Sequence, residues 1–165
     1  MSEQQDSEAL TRVMLDASKR SVPIEIVPRA KVNSLEEAAA ALGVHPSQLL
    51  KTLVLKRSDD TYVFALIPGG RKMDWAKIRS VLQVNKLSLP DAETALAVTH
   101  FARGTITPFG SHTPLPVLID SSVFDEPVPE KIALGSGDPG HGLLVSPEAF
   151  VAGFEATIAD ISVPQ

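Results

Sequence analysis

Two apolar runs joined by a short polar break constrain this chain more than any other feature. Leu49-Leu50-Lys51-Thr52-Leu53-Val54-Leu55 and Thr61 to Ile67 read as strands, and Arg57-Ser58-Asp59-Asp60 between them has the chemistry of a turn. The spacing predicts an antiparallel hairpin. Residues 3–20 read as an amphipathic helix with Leu10, Val13, Met14 and Ala17 on one face, ended by Ser21 and Pro23. Val22 to Val27 alternates as a half-buried strand, with Val22, Ile24 and Ile26 on one side. Ser34-Leu35-Glu36-Glu37 has the form of a capping box, Leu35, Ala38, Ala39 and Leu42 make an apolar face, and Gly43 closes that helix before a turn at His45-Pro46-Ser47.

Pro68-Gly69-Gly70 then breaks the chain, and Asp74 caps a helix carrying Trp75, Ile78, Val81 and Leu82. Further helices are expected over Pro90 to Val98 and from Pro147 through Phe150 and Phe154. Short strands are expected at Val117–Asp120, Lys131–Leu134 and Gly142–Val145. Ala102 to Gly110 has neither period. About six strands and roughly four or five helices in irregular order favour a mixed α/β fold, helices packed around a mixed sheet, over a doubly wound parallel one. A chain of 165 residues fits one domain.

Hydrophobic residues are 44% and charged residues 21% of the chain, enough for a buried core. With no cysteine there is no disulfide framework, thiolate zinc site, iron–sulfur ligation or cysteine nucleophile. The polar, acidic start Met1-Ser2-Glu3-Gln4-Gln5-Asp6 is unlike a secretory signal, so a cytoplasmic location is expected. The uncharged run from Gly104 to Ile119 holds Pro108, Pro114 and Pro116 and reads as loop and strand, not as a membrane helix.

The net charge of −5 is unevenly spread. Lys51, Lys56, Arg57, Arg71, Lys72, Lys77, Arg79 and Lys86 against Asp59, Asp60 and Asp74 make that segment +5, and the remainder is −10. An anionic partner would prefer the middle third, unless these are ordinary solvated faces. A long duplex binder normally carries more positive charge than this.

Several motifs fail on context. Gly135-Ser136-Gly137-Asp138-Pro139-Gly140 matches GxGxxG, but Pro139, Gly140 and Gly142 interrupt any helix and a strand-like Leu143-Leu144-Val145 follows, so no dinucleotide site is expected. A glycine loop that lets backbone approach a ligand remains open. His45, His100, His112 and His141 lack the H-x-x-x-H spacing of a zinc hydrolase, and no metal is expected. Ser136 does not lie in a G-x-S-x-G elbow.

Two features carry more chemistry. Lys51 enters an apolar strand, so its neighbours should partly desolvate it, and its ammonium then needs an anionic or carbonyl partner unless it points to solvent. Gly104-Thr105-Ile106-Thr107-Pro108 brackets small hydroxyl residues with a glycine and a proline. Such a loop is either an ordered connection or a rigid presentation of backbone N–H groups to a carbonyl or oxyanion.

In order and spacing, Leu42-Gly43-Val44, Leu50-Lys51-Thr52-Leu53-Val54-Leu55, Gly104 to Gly110, Val117-Leu118-Ile119-Asp120 and Gly135-Ser136-Gly137 resemble the YbaK and prolyl-tRNA editing domain family, over about residues 20 to 160. The resemblance implies a mixed central sheet or partial barrel surrounded by helices, with residues 1–20 an N-terminal helix and 21–165 the editing domain. It implies hydrolysis, in trans, of the ester of mischarged aminoacyl-tRNA, bound by its 3′ end, without a cofactor. An aminoacyl-tRNA synthetase is a second implied partner, while a membrane and long duplex DNA are not.

The chemistry accords with such a role: small amino acids differ by too little binding energy for affinity alone to separate them, so a second site hydrolyses wrong products. On this resemblance Lys51 meets the terminal phosphate or the ester, amides around Gly104 to Thr107 stabilise the oxyanion, Pro108 holds the loop, and water attacks. Thr52, Thr105, Ile106, Gly135, Ser136, Gly137 and His141 are the expected substrate-binding residues. Alanine, cysteine, serine and threonine all remain open as the amino acid removed. The alternatives are a non-catalytic aminoacyl or nucleotide-binding module, and a small-molecule esterase.

Overall fold

A computed structural model describes residues 3–30 and 32–165, with side chains described for residues 8–30 and 32–165. The chain runs α1 (Glu3–Lys19), β1 (Ile24–Pro28), α2 (Leu35–Ala41), β2 (Leu50–Arg57), β3 (Tyr62–Pro68), β4 (Arg71–Met73), α3 (Trp75–Leu82), β5 (Leu87–Ser88) and α4 (Ala92–Thr99). It continues through β6 (Val117–Asp120), β7 (Ile132–Gly135), β8 (His141–Val145), α5 (Pro147–Phe154), β9 (Thr157–Ala159) and β10 (Ser162–Pro164). Short 3-10 turns lie at Pro46–Gln48 and Ser121–Phe124.

The expected hairpin forms, pairing Leu50 with Pro68 through to Lys56 with Tyr62. Asp59 closes its turn by accepting from the Thr61 amide and hydroxyl at 3.2 and 2.6 Å. The hairpin is the middle of a mixed five-stranded sheet ordered β5-β2-β3-β6-β9, antiparallel from β5 to β3 and parallel from β3 to β9. A three-stranded antiparallel sheet, β1-β8-β7, joins it through one bridge between Leu49 and Ala133. The sheets do not close into a barrel, so of the expected alternatives the mixed sheet with helices around it is the one observed.

Both faces of the five-stranded sheet are covered, which is why Val63 to Ile67 of β3 are all buried. On one face Leu50, Val54, Phe64, Leu66, Val117 and Ile119 pack with Ile132, Leu134, Leu143 and Val145 of the smaller sheet, closed by α1 and α5. On the other face Leu55, Val63, Ala65, Ile67 and Leu118 meet Ile78 of α3 and Ile161. A third cluster sets Ala38, Ala39 and Leu42 of α2 on Leu49, Ala133 and Leu144.

Helix starts follow the expected chemistry: Ser34, Asp74, Asp91 and Ser146 accept from Glu37, Lys77, Thr94 and Ala149 amides. Three details differ. Glu37 returns its carboxylate to the Asn33 amide, one residue earlier than a capping box requires. The buried stripe of α1 is Ala9, Val13 and Ala17, while Met14 is 49% exposed, because the helix presents an i, i+4, i+8 stripe to Phe101 and Phe109. The strands of two or three residues (β4, β5, β9 and β10) go beyond the expected six, since pieces that short carry no period. Residues 1 and 2 of the expected N-terminal segment lie outside the described residues.

Asp120 ties the C-terminal strands to β6. Its carboxylate, 1% exposed, accepts from the Ile161 amide at 3.0 Å and from the Ser122 amide at 3.2 Å, and lies 3.6 Å from Arg71 Nε. Burial pushes this carboxyl up, but hydrogen bonds from Ser122, Ile161 and Ser162 outweigh it and hold it below the ordinary value. A lowered folded pKa stabilises fully above the unfolded value, about 3.9, and that contribution is lost as pH falls through the folded one. Melting temperatures of wild type and Asp120→Asn should therefore differ most at neutral pH and converge below about pH 4; a gap that persists in acid would refute the assignment. Phe109, fully buried with ring centroids 5.8 Å from Phe150 and 4.9 Å from Phe154, gives a second expectation. Phe109→Ala should cost about 3–5 kcal/mol in denaturant unfolding.

Candidate functional site

Strand β2 is paired with β3 along its length, but β5 joins it only at Lys56 and Arg57 and β7 only near Leu49. Between those two contacts, Lys51 to Val54 form one wall of a cavity of about 560 Å3. Its other walls come from the start of α4 (Leu89 to Ala92 and Ala95), from Arg103 to Ile106, from Leu134 to Ser136 with Asp138 and His141, and from Arg29. Apolar side chains supply most of the surface, and polar groups enter at a few places, as ligand cavities require.

Lys51 is exposed and its ammonium has no partner among the described residues, so of the two situations expected for it the one that points to solvent is observed. The physical reason is the open edge: no third strand covers β2 at this position. Thr52, in the same wall, is half buried, and its hydroxyl has no partner among the described residues. Arg29 and Arg103 add two cations without carboxylate partners among the described residues, where the buried Arg29 Nε is also unpaired. The cavity's acids are committed elsewhere: Asp91 caps α4 and Asp138 contacts His141. The positive charge at the site is thus Arg29, Lys51 and Arg103, only one of which belongs to the basic middle third. Lys56, Arg71 and Lys77 of that segment are paired with Asp60, Asp120 and Asp160.

The loop after α4 divides into two parts. Gly104, at φ +90°, Thr105 and Ile106 line the cavity. The Thr105 amide and hydroxyl are both spent on Ala102 O, at 3.0 and 2.7 Å, whereas the Gly104 and Ile106 amides have no partner among the described residues. Thr107 and Pro108 do not line the cavity. Thr107 is fully buried, and Pro108 faces a separate groove beside Arg12 and Lys19, because the chain dives there to seat Phe109 in the core. Thr107 and Pro108 thus lie behind the cavity lining, where the part open to them is to hold the loop.

The loop between β7 and β8 closes an antiparallel pair, which explains why its GxGxxG pattern leads to no helix. Gly135 fits flush against this neighbouring loop, since a Cβ there would lie 2.6 Å from Ile106 O. Gly137, at φ +85°, donates to Thr105 O at 2.8 Å and packs under Phe101, away from the cavity. The Ser136 hydroxyl donates to His141 O at 2.8 Å and accepts from the Asp138 amide at 3.2 Å, so it braces the loop rather than presenting a nucleophile. His141 lines the cavity with Asp138 on its Nδ1.

Arg29, Arg103 and Asp138 were not among the residues expected from the sequence. The arginines lie outside the basic segment and converge only through the fold, while Asp138 and His141, three apart, were a readable pair. The other histidines stand elsewhere: His45 caps the turn at Pro46–Gln48, and His100 stacks on His112 at 3.7 Å. Desolvation pushes the His100 imidazole down, assisted by His112 and Arg12. Among the described residues no helix is long and apolar enough to cross a membrane.

A proline–tRNA ligase from Thermotoga neapolitana is 37% identical over 90 residues, 54% of this chain and 15% of that protein. One from Geotalea daltonii is 34% identical over 87 residues, 53% of this chain and 15% of that protein. The aligned region thus spans about 15% of the length of these curated relatives. A crystal structure described as a candidate trans-editing enzyme for prolyl tRNA synthetase has the same fold, with a TM-score of 0.82 at 24% identity over 94% of this chain and 97% of that one. The model of the aminoacyl-tRNA editing domain matches residues 29–152, a span that holds every wall of the cavity, and this chain belongs to that family.

Proposed function

We propose that this protein is a free-standing aminoacyl-tRNA deacylase, which hydrolyses the ester of mischarged tRNA in trans, with residues 21–165 as the editing unit and α1 packed against it. The observation that carries the reading is an apolar cavity lined by three cations and two loop amides that have, among the described residues, no carboxylate or hydrogen-bond partner. The anionic end of a tRNA brings phosphates to the cations, and a small aminoacyl group fits the apolar part. Arg29 and Arg103 take phosphates of the 3′ end, and Lys51 takes the terminal phosphate or the ester region. The Gly104 and Ile106 amides orient the carbonyl and stabilise the oxyanion as water attacks. Thr52, Thr105 and Gly135 shape the pocket. A substrate of this kind places the protein with the translation machinery of the cytoplasm.

Lys51→Ala should lower kcat/KM about 10- to 100-fold on a panel of mischarged tRNAs, the equivalent of a hydrogen bond to a charged group. Unchanged hydrolysis would remove Lys51 from the mechanism. Stoichiometric binding of aminoacyl-tRNA by the wild type without turnover would favour the non-catalytic module instead. Arg29→Ala and Arg103→Ala should each reduce the slope of log affinity for tRNA against log salt by about 0.7, one single-strand phosphate contact apiece. Slopes equal to that of the wild type would place the phosphates elsewhere.

A further inference from the structure

The proposed hydrolysis lacks a group that takes the proton from water, and the loop between β7 and β8 holds one suited to it. His141 Nδ1 meets Asp138 Oδ2, and the same carboxylate accepts from the Gly140 amide at 3.2 Å. Asp138 is 5% exposed, and the Ser136 hydroxyl braces its amide and the His141 carbonyl, so both ends of the pair are fixed. A carboxylate only accepts hydrogen bonds, so the hydrogen between the two groups sits on Nδ1. The neutral ring then has a bare lone pair on Nε2, which has no partner among the described residues, on a side chain that lines the cavity.

We infer that Asp138 is a positioning residue that holds His141 in the Nδ1–H tautomer, making Nε2 the general base for the attacking water. This rests on the deacylase reading above. Water oxygen bonds to the ester carbonyl carbon as Nε2 takes one of its protons, and the oxyanion forms toward the Gly104 and Ile106 amides. Collapse of that intermediate breaks the bond from the carbonyl carbon to the ribose oxygen, and Nε2 returns the proton to this leaving oxygen. The products are the free amino acid and the tRNA hydroxyl, with His141 neutral again. Arrangement of a histidine by a carboxylate on its far nitrogen is the general means of fixing which nitrogen accepts.

Two measurements test the inference and separate its failure from that of the deacylase reading. Long-range 15N–1H correlation spectra of the free protein at about pH 8.5, above the ordinary imidazole pKa, report the His141 tautomer, assigned by its loss in His141→Ala. The Nδ1–H form should dominate in wild type and lose that dominance in Asp138→Asn; an Nε2–H form or an even mixture in wild type would overturn the proposal whether or not the protein hydrolyses anything. Single-turnover deacylation should then fall about 10-fold or more in Asp138→Asn, with KM moved less than about twofold and the melting temperature retained. His141→Ala should fall at least as far, and adding Asp138→Asn to it should change nothing further. An equal additional loss in the double variant would make Asp138 merely structural. A wild type inert on every mischarged tRNA would refute the deacylase reading and with it the role as base, while the spectra still decide the tautomer.

Discussion

The burial of β3 on both faces is the constraint from which the rest of the molecule follows. A strand with Val63, Phe64, Ala65, Leu66 and Ile67 all out of water needs apolar partners above and below its sheet. The smaller sheet with α1 and α5 supplies one side, α3 with the C-terminal strands the other. β2 must accompany β3 into the same position, yet its first half carries Lys51 and Thr52. The fold resolves the conflict by leaving β2 uncovered there, between the β5 contact at Lys56 and the β7 bridge at Leu49. The cavity is that uncovered edge.

Its remaining walls are held by two loops that support each other. Gly137 donates to Thr105 O, and Gly135 has no room for a side chain against Ile106. Beyond Ile106 the first loop is pinned by Thr107 and Phe109 in the core, and beyond Gly137 the second is braced by Ser136. Thr105, Gly135 and Ser136 both hold these loops and line the cavity, whereas Thr107, Pro108 and Gly137 only hold them, and a glycine or proline pattern alone does not separate the two groups. Backbone groups presented by loops fixed in this way need little reorganisation when charge develops on a substrate.

Electrostatics at the cavity depends on which charges are already paired. The basic middle third looks like the anion-binding surface in one dimension, but three of its members are tied to acids. Arg29, just after β1, and Arg103, in the loop after α4, have no carboxylate partner among the described residues and line the same cavity as Lys51. Charge counted along a chain measures composition; charge available to a ligand is what the fold leaves uncompensated.

Most of the secondary structure was legible in the residues, because it rests on local chemistry. The hairpin, the capped starts at Ser34 and Asp74, and the helix beginning at Pro147 each depend on neighbours within a few positions. The same locality made the GxGxxG of residues 135–140 readable as a loop, and it left Asp138 and His141 within reach of inspection. The very short strands were not legible, since Leu87–Ser88 or Ser162–Pro164 exist only because a partner strand is present. Lys51, Thr52 and Gly104 to Ile106 were identifiable as a lysine on an apolar strand and a rigid loop. Only the tertiary structure decided that Lys51 is exposed, that Thr107, Pro108 and Gly137 turn away, and that Arg29 and Arg103 join the cavity. The physical reason is that burial and charge pairing are properties of contacts between segments far apart in the chain, and local sequence carries no record of them.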